Sequence, residues 1–164
     1  MNGTTQEPTI GLAEEILKGL VEKDGVGRDH FLQFLIGVLN KDSSAAIGVT
    51  LTVGGSQISG ELIGGAAYFE EFSSAFAKAF GRGDEAATAG LKQSMNKFGD
   101  VYRSNGSEAD AESDADSPPP VYVHMRNAQQ FAPGGLPIPG NGCLWRGKLS
   151  AVDGFSLGKL SVDK

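Results

Sequence analysis

Cysteine is almost absent. Cys143 stands alone, so no disulfide can form within the chain, and a reducing, cytoplasmic setting is expected. Long apolar runs are missing as well: no stretch approaches the roughly 18 uninterrupted apolar residues that span a bilayer, so no membrane partner is expected. The opening MNGTTQEPTIGLAEEILKGL has neither a basic start nor an apolar centre, so no signal peptide is expected. Histidine is scarce, at His30 and His124 only, and two distant histidines with one cysteine offer no metal-ligand spacing. Positive charge is short too. The net charge is −6, divided as −4 over residues 1–103, −5 over 104–120 and +3 over 121–164. An acidic chain of this kind repels nucleic acid and anionic lipid, and only its C-terminal piece offers basic residues.

What is present is strong patterning in a chain long enough for a core without staples. Ala13, Ile16, Leu17, Leu20 and Val21 recur at helical spacing, with Glu14, Glu15, Lys18 and Glu22 off that face. After KDGVG, a second helical run from Asp29 carries Phe31, Leu32, Phe34, Leu35, Ile36, Val38 and Leu39, so wide a stripe that burial on most sides is expected. The period then drops to two. Ile47, Val49, Leu51 and Val53 alternate with smaller residues, Gly54-Gly55 suits a two-residue hairpin turn, and SQISGELI returns with Ile58 and Leu62 on one face. Gly60 inside that strand predicts bending or close backbone approach.

Helical spacing resumes with Phe69, Phe72, Phe76 and Phe80 on one face, expected to be core before interface, though a face of four phenylalanines can serve both. After the break at Gly81–Gly83, with Asp84 as N-cap, come Ala87, Leu91, Met95 and Phe98. Residues 103–120 contain no large apolar side chain and end in three prolines, which predicts a disordered acidic insert. VYVHMRNA alternates as a strand. QQFAPGGLPIPGNG reads as loop because of its prolines, and strands around 143–152 and 155–162 are expected to meet at an Asp153-Gly154 hairpin turn.

The fold class predicted is α+β: a small antiparallel sheet or barrel of about five strands, with N-terminal helices and a helical pair inserted between strands 2 and 3. The organisation expected is one domain over 1–164. It comprises helices in 9–40, a first hairpin in 46–63, a helical insert in 66–102, the acidic insert in 103–120 and the C-terminal strands in 121–164.

Few residues invite chemistry. GGSQISG lacks the Lys-Ser/Thr that completes a phosphate loop, and GRGDEA follows a helix instead of a strand, so it reads as a helix stop and cap. His30 and His124 have no evident nucleophile or orienting partner, Cys143 reads as a buried free thiol, and Glu14/Glu15 and Glu70/Glu71 as solvated helix faces. No enzyme, cofactor or metal is expected. Gly54, Gly55, Gly60, Asp153 and Gly154 are taken as turn and structural residues. Trp145, Arg146, Lys148, Phe155 and Lys159 are the candidates for partner binding, with Trp145 read first as a structural residue at the sheet rim.

The run WRGKLSAVDGFSLGKLS (145–161), with LTVGGSQISGELIGGAAYFEEF (51–72), resembles the gas vesicle accessory proteins of the U type. The resemblance extends over about residues 29–162, apart from the acidic insert and the Pro/Gly loop. It implies a cytoplasmic, non-enzymatic helper of gas vesicle formation or organisation, with shell or other accessory proteins as partners. The −5 insert and the +3 C-terminal piece are complementary between molecules, so self-association to a homo-oligomer and clustering of vesicles are expected. The alternatives are a holdase for the apolar shell subunit and an Sm- or OB-like nucleic-acid barrel, the latter disfavoured by the acidic total.

Overall fold

A computed structural model describes residues 27–103, 119–132 and 136–161 of the chain. The amphipathic run before residue 27 and nearly all of the acidic run lie outside these residues.

Alternation of apolar and small residues produces β1 (Ala46–Val53) and β2 (Ser56–Ile63), paired antiparallel from Ala46↔Ile63 to Val53↔Ser56. Gly54 and Gly55 connect them at φ of +55° and +79°, the left-handed pair that a two-residue turn requires. Helix α1 (His30–Lys41) precedes this hairpin; the Asp29 carboxylate caps it by accepting from the Leu32 N–H at 2.9 Å. Helices α2 (Gly65–Phe80), α3 (Glu85–Asn96) and the short α4 (Asp100–Arg103) follow β2. The chain then returns to the sheet as β3 (Tyr122–Phe131), β4 (Ile138–Lys148) and β5 (Gly154–Leu157). The result is α+β, with one five-stranded antiparallel sheet in the order β4-β3-β2-β1-β5 and helices between strands 2 and 3.

Strand parity divides the side chains between two layers. Val49, Leu51, Ile58, Leu62, Val123 and Met125 share one face and pack with Leu32, Ile36 and Leu39 of α1. Each such fully buried aliphatic chain contributes about 1.5–3 kcal/mol relative to exposure. The opposite face carries Ile63 and Leu144, which meet Ala67, Tyr68, Phe69 and Phe72 from the first half of α2. Trp145 from one edge strand and Phe155 from the other pack on the same α1-side cluster, so the sheet curls until both edges serve one core.

That curl corrects the expected C-terminal hairpin. β4 and β5 occupy opposite edges and do not pair. Leu149, in a 3-10 turn after β4, is fully buried and draws the chain beneath the sheet. Asp153 then donates its N–H to the Thr52 carbonyl at 2.8 Å, and its carboxylate accepts from the Gly54 N–H at 2.8 Å. Asp153 thus ties the β4–β5 crossover to the β1–β2 turn, and Gly154 begins β5 opposite Thr52. β5 ends at Leu157; Gly158 and Leu160 cross over β1 and β2, bonding to the Gly48 carbonyl and to Ser59 Oγ.

The segment expected as a proline-rich loop also differs. Residues 129–131 extend β3, and 138–142 are the start of β4. β4 is an edge strand, where Pro139 removes no donor that the ladder needs. Close approach is met at Gly60: a Cβ there would stand 2.8 Å from the Ala128 Cα, at the point where the β2–β3 register shifts.

Candidate functional site

The sheet face beneath α2 is the most densely organised part of the molecule. His124, mid-strand in β3, is fully buried there, its ring centroid 4.8 Å from Tyr68, 5.3 Å from Tyr102 and 5.9 Å from Phe69. Its Nε2 accepts from Arg146 Nε at 3.3 Å, which puts the proton of the neutral ring on Nδ1. Nδ1 has no hydrogen-bond partner in this enclosure of rings, the Tyr102 ring standing perpendicular to the imidazole. Burial, then the nearby Arg146 charge, push the imidazole down to about 4. A neutral, enclosed histidine fixes the packing of rings around it. It is not placed as a base that a substrate could reach.

From this nest a chain of rings runs outward along α2. Tyr68 lies 6.1 Å from Phe72, Phe69 lies 6.4 Å from Phe72, Phe72 lies 5.9 Å from Phe76, and Phe76 stacks on Phe80 at 4.5 Å. Phe98 joins beside Phe69 at 6.0 Å. The expectation that this stripe is core before interface holds at its base, where Phe69 and Phe72 pack on the second cluster, and is corrected at its end. α2 buries Ala66, Ala67, Tyr68, Ser73 and Ala77, whereas Phe69, Phe72 and Phe76 are half-buried and Phe80 is 62% exposed. The reason is length. A 16-residue helix is about 24 Å long; its first half rests on the sheet, and toward its end, beside α3, a helix that buries no residue, Phe80 stays exposed although Ala77 is fully buried. Asp84 caps α3 by accepting from the Ala87 N–H at 3.0 Å, so GRGDEA is indeed a stop and cap.

The candidate binding residues of the C-terminal run are not brought together. Trp145 lies half-buried on the α1-side core, its indole folded across Gly147 so closely that a Cβ there would overlap the ring. Arg146 faces the other way, its guanidinium 3.5 Å above the Tyr122 ring. Lys148 is exposed at the end of the same edge strand. Phe155 sits at the opposite edge and stacks on Phe31 at 6.0 Å. Lys159 donates to Glu61 Oε1 at 3.0 Å, and Arg126 joins Glu61 to Glu71 at 2.9 and 3.1 Å. These bonds, Lys159 first, hold the Glu61 carboxyl below the usual range. Glu71 is thereby a network member and not simply a solvated acid.

Cys143 is exposed on β4, which corrects its reading as buried: the thiol falls on the outer edge strand. Clefts of about 380 and 500 Å³ flank the base of α2, lined by Lys41, Arg103 and Arg126 together with Glu70 and Glu71, a mixture that converges on no single ligand charge. Among the described residues no group of three His, Cys, Asp or Glu is placed to hold a metal ion, and no helix is long and apolar enough to cross a membrane. The feature hardest to weigh from the sequence is the aromatic ladder; its ring-every-turn spacing is visible there, but its exposure depends on where the sheet ends.

Compared with known proteins, residues 29–160 match the family model described as gas vesicle protein GvpU-like. No curated protein and no solved structure matches the chain.

Proposed function

Since the chain belongs to the GvpU-like family of gas vesicle proteins, we propose that it is a non-enzymatic accessory factor that binds shell proteins on the vesicle and self-associates, aiding vesicle assembly or clustering in the cytoplasm. The observation that carries the shell contact is the ladder Phe69–Phe72–Phe76–Phe80, a continuous row of half-buried rings that ends in the exposed Phe80. Rows of this kind, rigid and large in area, are the usual anchors of protein–protein contacts. Self-association is supported by charge: residues 104–120 carry five acids and residues 121–164 are net positive, and Arg146 and Lys148 are exposed on the edge strand β4. Of the five candidates named from the sequence, Arg146 and Lys148 stay as partner-binding residues, and the anchor moves from Trp145 and Phe155 to α2.

The same ladder also fits a holdase that shields the apolar shell subunit before assembly. Flotation separates the two. Vesicles floated from lysates at low salt should carry the protein, and its sedimentation as an oligomer should weaken as salt rises. Recovery only in the subnatant, bound to unassembled subunit, would favour the holdase. A salt-independent monomer would remove self-association from the account.

A further inference from the structure

The two edges of the sheet differ in how they end it. β4 carries Pro139 and the exposed Arg146 and Lys148, a proline and like charges that keep a second copy of the same edge away. β5 has neither. Residues 154–158 hold no charge, and Leu157 is 72% exposed. The Gly158 N–H donates to the Gly48 carbonyl, and Ser156 stands opposite Thr50. The alternation of an antiparallel ladder therefore turns the N–H and C=O of Phe155 and Leu157 away from β1. Their side chains share the α1 face, opposite Leu51 and Val49, and Phe155 stacks there on Phe31, itself 43% exposed. β5 thus presents outward ladder groups and an apolar flank together.

The run around this edge is self-complementary. Reversed about Ser156, DGFSLGK (153–159) meets itself with Phe155 opposite Leu157, Gly154 opposite Gly158 and the acid end opposite the basic end. That is the isologous contact of a twofold pair. The backbone agrees with this register. Phe155 of one copy and Leu157 of the other, both with outward groups, exchange hydrogen bonds, and Ser156 meets its own copy at a non-bonded position. An aromatic ring beside an aliphatic chain is a favourable cross-strand pair, and Phe31 stands next to it. A strand of four residues gives few ladder bonds, so these apolar contacts carry most of the association. The Asp153 carboxylate is held by the Gly54 N–H and the Lys159 ammonium by Glu61, so the two ends add a favourable field and no new ion pair.

We propose that β5 pairs antiparallel with β5 of a second copy about Ser156, joining two sheets into one across a twofold axis. The inference rests on the self-association proposed above and gives it a surface that salt does not dissolve. The test uses the full chain with Cys143→Ser and Ser156→Cys, held in a glutathione redox buffer at raised salt. Residues opposed at a non-bonded position have Cα atoms about 4.5 Å apart, within the reach of a disulfide. The expected product is a dimer linked through residue 156, identified by peptide mass spectrometry. The native chain, whose exposed Cys143 lies on the other edge, should stay unlinked under the same treatment. Leu157→Glu, at an exposed position, should keep the native circular dichroism and raise the dissociation constant of the salt-resistant dimer at least about tenfold in sedimentation. Association at low salt only, a dimer unlinked at 156 or linked through Cys143, or an unchanged affinity with Leu157→Glu overturns the β5 contact and leaves self-association standing. A monomer at every salt and protein concentration overturns both.

Discussion

Single residues set the limits of the fold here through two contacts that side-chain type alone does not announce. Gly147 is one. Its missing Cβ leaves room for the Trp145 indole, so Gly147→Ala forces the ring off the core. A loss of about 1–3 kcal/mol is expected, the usual cost of overpacking, read as a lower midpoint in urea with tryptophan fluorescence shifted toward the exposed value. His124 is the other. In the unfolded chain it titrates near 6.5, in the folded one at about 4, so between those values the unfolded state binds the extra proton. Stability from keeping His124 neutral is therefore full above pH 6.5 and falls as pH drops toward 4, by about 2 kcal/mol at pH 5. His124→Phe should flatten urea-derived stability between pH 6.5 and 4. A variant that keeps the full acid slope would place the titration elsewhere. Glu61, held low by Lys159 and Arg126, loses its contribution from the free-carboxylate range downward, so the fall at the upper end of this window, above that range, reports His124.

Secondary-structure elements were legible wherever a local signal decided them. The β1–β2 hairpin followed from alternation and Gly54-Gly55, and the α2–α3 break from Gly81 to Asp84. Where a distant partner decided the outcome, local signals misled. Asp153-Gly154 has the composition of a hairpin turn, but the buried Leu149 and the bonds of Asp153 to Thr52 and Gly54 send the chain across the sheet. Pro139 looked incompatible with a strand because edge position is a property of the whole sheet. The ladder was misjudged for the same reason: periodicity reports a shared face, whereas burial depends on what lies opposite. As Phe76 is half-buried and Phe80 exposed, the pair Phe76→Ser and Phe80→Ser should lower stability much less than Tyr68→Ser, at the buried base, which should cost several kcal/mol. A large loss of stability in the outer pair would return the ladder to the core.

At the scale of the whole molecule, a curled sheet carries α1 on one face and the α2–α3 pair on the other. Glu61, Arg126, Glu71 and Lys159 join β2, β3, α2 and the C-terminal crossing in one ion-pair network. Under the proposed function, Phe76 and Phe80 hold the protein on gas vesicles. The direct measurement is a binding titration of purified vesicles with the native chain and with the Phe76→Ser, Phe80→Ser chain, both confirmed folded. A loss of at least about tenfold in affinity is predicted, the scale of removing one interface anchor; equal binding by the two chains would contradict the account.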